Sequence, residues 1–345
     1  MIETFIATLN PMLSFFICIM IGFVLKKTGI LPDNAGTVIS KLVAWVLYPA
    51  LCFSSMARYF TVETLTAHVS NLTVFTISLV PSIGISILLS YAFVKEKSYN
   101  RCVYQYALAF ANSGYMGDPL VQALFGDETL SYYKLACLPI SIAIYTWGVS
   151  RLVPSDKNKK SLWKKLLNGP IVGMFLGMIV GLITGAVLPN VDASTTAYDL
   201  LIPSFIVSTI DSLKVCMGPM AMIVAGVTIA KYDLLKMFKK KRVYFATALR
   251  LIILPVVILS ALFGIKELIN LILNTTIDNT PILLLFFAIA APLGLNTIIF
   301  PEAYGGDPEE GASMALISHT LCIITIPLMF ALANLLLGQN AQLPV

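Results

Sequence analysis

Charge is what this sequence is short of. Only 12% of its 345 residues are Asp, Glu, Lys or Arg, where a soluble domain carries about 25%. A soluble surface needs charge to stay solvated, so the shortage excludes an ordinary globular protein. A bilayer accommodates it, because lipid solvates apolar side chains. Histidine is scarce as well: His68 and His319 are the two present. No His/Cys/Glu cluster has metal-ligand spacing. The cysteines, Cys18, Cys52, Cys102, Cys137, Cys216 and Cys322, match neither a zinc pattern nor a disulfide framework, and read as small packing residues. A nucleophile elbow and a phosphate loop are both missing. We therefore expect no enzyme, no metal and no organic cofactor. The start of the chain lacks a basic stretch, with Glu3 its only early charge, so the first apolar run is expected to be a span and not a signal peptide.

What is present is apolar: 58% of the residues are hydrophobic. Runs long enough to cross a bilayer, about 20 residues each, fall at 5–25, 37–57, 71–94, 102–125, 131–152, 169–188, 200–230, 243–265, 281–301 and 312–337. Lipid cannot satisfy an open backbone, so these read as helices. Net charge is +5, and in such a chain basic residues mark cytoplasmic loops, not a nucleic-acid site. Lys26 and Lys27, Lys95 and Arg101, the stretch 153–168 and the run Lys239 to Arg242 all follow odd-numbered spans. Both termini are therefore predicted to face outward from the cell inner membrane, with 153–168 a basic cytoplasmic loop.

The sequence also repeats weakly at half length. Residues 11–32 and 170–189 both open on proline, carry a glycine eleven residues on (Gly22, Gly181) and end in a proline turn. Pro49 corresponds to Pro219, Pro81 to Pro255, and Gly126-Asp127 to Gly306-Asp307. With five spans per repeat the second half inserts upside down. That predicts an all-α integral membrane fold, ten transmembrane helices as two inverted five-helix repeats, the general plan of secondary transporters. The fourth span contains Asn112-Ser113-Gly114-Tyr115-Met116-Gly117-Asp118-Pro119, and the ninth contains Pro292-Leu293-Gly294-Leu295-Asn296. Proline removes a backbone bond and clashes one turn back, so both helices should be discontinuous. Unwound backbone at membrane depth belongs inside protein or beside a cavity, and matched breaks in two halves point to a transport site. Half-helix N–H ends suit a carboxylate, and Asn112 and Asn296 can hydrogen-bond there without burying charge.

At these residues, with Asn10-Pro11 and Tyr304-Gly305-Gly306-Asp307, nearly the whole chain resembles the auxin efflux carrier family, which includes bacterial malonate and malate permeases. The resemblance implies a fold related to sodium/proton antiporters and bile-acid transporters, in which the discontinuous fourth and ninth helices cross. It implies a scaffold of 1–57 and 169–230, a transport part of 71–152 and 243–337, and a homodimer formed through the scaffold. The implied activity is elevator-type alternating access for a small carboxylate such as malonate, malate or an auxin-like acid. Substrate-binding candidates are Asn112, Ser113, Gly114, Gly117, Pro119, Pro292, Gly294 and Asn296. Asp118 departs from the family pattern, which is more often uncharged there. It joins Arg250 and His319 as a coupling candidate for H+ or Na+, since ionisable groups in a membrane are functional candidates by default. Asp211 and Lys214 are three apart on one helix face and can pair with each other. Gly173, Gly177 and Gly181 mark close helix packing. Other readings are an ion-coupled carrier of a different solute and a membrane sensor that binds without flux.

Overall fold

The computed structural model describes residues 2–62, 65–66, 73, 83–95, 98–153, 169–188, 196–274, 286–304 and 306–336. His68, Pro81, the first half of the third predicted span apart from residue 73, and nearly all of the 153–168 loop lie outside these. The described residues are helical, joined by a single isolated β-bridge. We number the principal helices α1 (Ile2–Lys27), α2 (Ala35–Tyr59), α3 (Ile83–Phe93), α4 (Tyr99–Ala109), α5 (Asp118–Ala136), α6 (Leu138–Leu152), α7 (Gly169–Val187), α8 (Ser204–Ile229), α9 (Lys241–Ile272), α10 (286–290), α11 (Asn296–Tyr304) and α12 (Glu309–Leu336).

Among the described residues, six helices are long and apolar enough to cross a membrane. A seventh is formed if Thr129–Ala136 and Leu138–Leu152, bent by 46°, count as one span. The fourth and ninth predicted spans fall short of this length because each is interrupted, as α4/α5 and α10/α11. The boundary between the fourth and fifth spans is Gly126, whose φ of +82° lies in the left-handed region that glycine adopts without strain. Side chains such as Ile17 on α1, Ile183 on α7 and Ile324 on α12 stand exposed around the outside, as a lipid-facing surface requires.

Three prolines in the spans are accommodated in the same way. Among the described residues, the wide turns Val43–Leu47, Ser113–Gly117 and Leu249–Ile253 each end two residues before a proline: Pro49, Pro119 and Pro255. Opening the turn by one residue gives the ring room against the carbonyl it would otherwise strike.

Two glycine seams hold four helices in pairs. Gly173, Gly177 and Gly181 of α7 lie directly against backbone of α2 at Pro49, Phe53 and Met56 to Phe60. Gly22 of α1 and Gly226 of α8 do the same for each other, against Ile223 and Ile19. A side chain at these positions would meet main chain, which cannot rotate aside. Gly226→Val is expected to cost at least the 1–3 kcal/mol typical of overpacking. This would be read as a lowered melting temperature and loss of the monodisperse peak in detergent; an unchanged melt would refute the tight seam. Of the cysteines, Cys52, Cys137 and Cys322 are buried, but Cys216 is exposed at the bend between the two halves of α8 and is not a packing residue.

Candidate functional site

The two breaks meet. α4 ends at Ala109 and the chain turns extended at Phe110. Ala111 then pairs with Leu293 in an antiparallel bridge, and the Asn112 N–H donates to Pro292 O at 2.8 Å. Each break thus satisfies backbone groups that the other exposes. A Cβ on Gly294 would sit 3.0 Å from Phe110 O and 3.3 Å from the Tyr106 ring, so the close approach requires glycine there. Gly117 lies against the Tyr133 hydroxyl, and Pro119 packs on Gly218 of α8.

Around the bridge is a small cavity lined by Asn112, Ser113, Gly114, Asp118, Gly294 and Asn296, with Tyr48 of α2 also on its wall. Its volume is about 20 Å³, enough for about one water and too small for a dicarboxylate. The Tyr48 hydroxyl rests on Gly114, and its ring lies 5.1 Å from that of Tyr115.

The asparagines are buried, Asn112 at 2% and Asn296 at 9% exposure, and their amides face the same way chemically. Asn112 Nδ2 contacts His319 Nε2 at 3.1 Å, and Asn296 Nδ2 donates to the Tyr106 hydroxyl at 2.6 Å. Both Oδ1 atoms are buried, and among the described residues neither has a hydrogen-bond partner. Unmet buried acceptors are uncommon, and each needs an explanation.

Asp118 is not a lone carboxylate. Lys134 Nζ donates to it at 2.5 Å, lies 4.6 Å from the centre of the Tyr48 ring, and is itself buried. Arg250 does not reach Asp118 or the cavity. It is buried in α9, and its Nη1 donates to Leu108 O at 2.8 Å, placing a cation on the negative C-terminal end of α4. The coupling candidates therefore separate. Asp118 lines the cavity, His319 stands behind Asn112, and Arg250 supports the break from outside.

Two further ion pairs tie the glycine-seamed helices to the rest at opposite ends. At one end Lys231 bonds Glu302 of α11 at 2.6 Å, with Thr37 and Thr228 also donating to that carboxylate. At the other, Lys214 of α8 bonds Asp127 of α5 at 3.1 Å. The expected Asp211–Lys214 pair is present at 3.2 Å, and Arg58 extends it to Asp199. Outside the spans, burial pushes the Asp199 carboxyl up, but hydrogen bonds from Thr196 and Arg58 outweigh it and hold Asp199 below its ordinary value.

Lys134, Tyr48 and Tyr106 escaped the sequence reading. Lys134 lies at the edge of an apolar run, where a lysine ordinarily reaches out to water, and aromatic residues in membrane helices carry no distinguishing signal.

The sequence pattern of the family described as membrane transport protein matches residues 7–160 and 154–330. The chain belongs to that family. Its resemblance to the auxin efflux carriers is borne out, and with its several apolar spans it is a multi-pass membrane protein. An uncharacterized transporter of Methanothermobacter thermautotrophicus is 24% identical over 132 residues, which are 36% of this chain and 41% of that protein. The match thus spans less than half the length of the relative. The family pattern, not this relative, covers both breaks, Asn112 to Pro119 and Pro292 to Asn296.

Proposed function

We propose that the protein is a secondary carrier for a small organic anion, a carboxylate such as malonate, malate or an auxin-like acid, working by alternating access. The observation that carries this reading is the junction of two broken helices, Asn112 N–H on Pro292 O, beside a small polar cavity. The first turns of α5 and α11 begin there, and their N–H groups bring partial positive charge to a place where a carboxylate has no other aqueous partner.

In this reading the ten spans form two inverted repeats. The seamed helices α1, α2, α7 and α8 make a rigid scaffold that dimerises, and 71–152 with 243–337 move as the transport part. The packing supports this division, since backbone-on-backbone seams resist sliding while the scaffold meets the rest through side chains and ion pairs. The Lys231–Glu302 and Lys214–Asp127 pairs would open in alternation as the cavity turns from one face to the other. The small cavity corresponds to a closed form, and Tyr48 would withdraw from Gly114 on loading. The carrier sits in the cell inner membrane with both termini outward, performs no covalent chemistry, and couples to H+ or Na+.

The test is uptake of radiolabelled malonate, malate, lactate and indole-acetate into proteoliposomes under an imposed proton or sodium gradient. Accumulation of one of them is expected. Uptake of none would end the organic-anion reading, and binding without flux would favour a sensor.

A further inference from the structure

We propose that His319 is the proton site of this carrier, and that its protonation turns over the Asn112 amide so that the site exchanges an acceptor for a carboxylate-binding donor. This rests on the carrier reading above.

The argument starts from the imidazole. Nδ1 lies 3.0 Å from Ala315 O and 3.4 Å from Ser318 Oγ. A carbonyl oxygen only accepts, so Nδ1 carries the proton and donates to Ala315. In the neutral ring Nε2 is then a bare lone pair. It accepts from Asn112 Nδ2 at 3.1 Å, which fixes which way round the amide stands. Oδ1 is turned away from the ring and left without a partner among the described residues, on a residue that lines the cavity. A carboxylate arriving at this face would set oxygen against oxygen.

A proton taken from water forms the Nε2–H bond and reverses the demand. The imidazolium now donates at both nitrogens, Nδ1–H to Ala315 O and Nε2–H to Asn112. The amide must present Oδ1 to the ring, and a half-turn about its last side-chain torsion, which is soft and two-fold, does this. Nδ2 then faces the cavity and donates to the carboxylate. On release the carboxylate departs, Nε2–H returns its proton to water, and the amide turns back. Asn296 does not serve in this way, because its Nδ2 is held by Tyr106.

The surroundings make the two events obligatory partners. His319 is 2% exposed. It lines an apolar cavity of about 240 Å³ whose other walls come from α1, the end of α8, the short helix Leu234–Phe238 and its own helix α12, and it meets the break at Asn112. Among the described residues these surroundings present apolar side chains, Thr320, Ser318 and one titratable group, Cys322, whose Sγ donates to His319 O at 3.1 Å. Across the break, the cavity that Asn112 lines also holds Asp118 and Lys134, which are paired with each other. A lone imidazolium here is costly, and so is a lone buried carboxylate. Together they are a neutral pair, so one proton loads with one anion.

The test is the pH dependence of lactate binding to the purified full chain between about pH 6 and 8, where a carboxylate with a pKa near 4 stays ionised. Uptake of one proton per anion makes Kd rise about tenfold per pH unit. In His319→Gln that slope should flatten. A slope kept in His319→Gln would place the proton elsewhere and overturn the proposal. A flat wild-type profile would overturn it too, yet leave the carrier reading standing wherever lactate is still transported. Failure of lactate, malate and malonate all to bind would remove both. If His319→Gln does not fold, nitrogen-15 NMR of histidine-labelled protein decides, with His68→Gln identifying the other ring. The expected spectrum is a neutral Nδ1–H tautomer without ligand and an imidazolium with saturating lactate; a ring that stays neutral with lactate bound refutes the proposal.

Discussion

Asn112→Ala is expected to lower substrate affinity about tenfold to a hundredfold, and Asn296→Ala, whose Nδ2 is held by Tyr106, much less, both leaving a monodisperse, correctly inserted protein. The size follows from a hydrogen bond to a charged group, about 1.5–3 kcal/mol, converted at 1.4 kcal/mol per tenfold. The fold should tolerate both changes because the contact joining the breaks is made by main chain: Asn112 N–H still reaches Pro292 O whatever side chain stands at 112. What is lost internally is one partner each for His319 Nε2 and the Tyr106 hydroxyl, about 1–3 kcal/mol. Uptake and melting temperature measured on the same preparations separate the two effects. A variant that loses folding together with uptake would show that the asparagines hold the break and do not serve a ligand.

Asp118→Asn and Lys134→Met, made singly, are expected to be the most damaging conservative changes in the molecule, and the double variant should recover much of the loss. The two groups form a buried pair at 2.5 Å. Removing one partner of such a pair costs about 3–5 kcal/mol, because the other charge is left buried and unmatched. Removing both leaves no charge to solvate. Tyr48 stays on Gly114 in either case, although its contact with Lys134 is lost. The measurement is the yield and melting temperature of the three variants. A double variant that melts as low as the single ones would show that the penalty is not an unpaired charge.

The helix breaks were legible in the sequence because their cause is local: proline and glycine act on the turn they occupy. The glycine stripe on α7 was legible for the same reason, as three small residues at four-residue spacing on one face. Partners were not legible. Asp118 stood out as a carboxylate in an apolar run, but the lysine that meets it is brought back by the turn at Gly126, which no helical periodicity shows. Arg250 was visible at depth, yet its partner is the carbonyl of Leu108, and a backbone oxygen has no side-chain signature. Asp211 and Lys214 pair as their spacing indicates, but their links to Arg58 and Asp127 come from distant spans. The direction in which each asparagine amide faces depends on His319 and Tyr106, residues far away in the chain.

The bridge between the breaks also bears on how the protein is made. Asn112 and Pro292 are joined by one main-chain hydrogen bond, yet the ribosome delivers the second long after the first. Until the later segment arrives, the earlier one enters the membrane with an amide hydrogen that lipid cannot satisfy, a cost of several kcal/mol. The newborn fourth span therefore has reason to stay near the translocon, or near water, and to reach its final depth only when its counterpart comes through. Maturation of this chain is then governed by its last third, and a stalled or truncated product that stops before Pro292 would present the quality-control machinery with a helix that cannot settle.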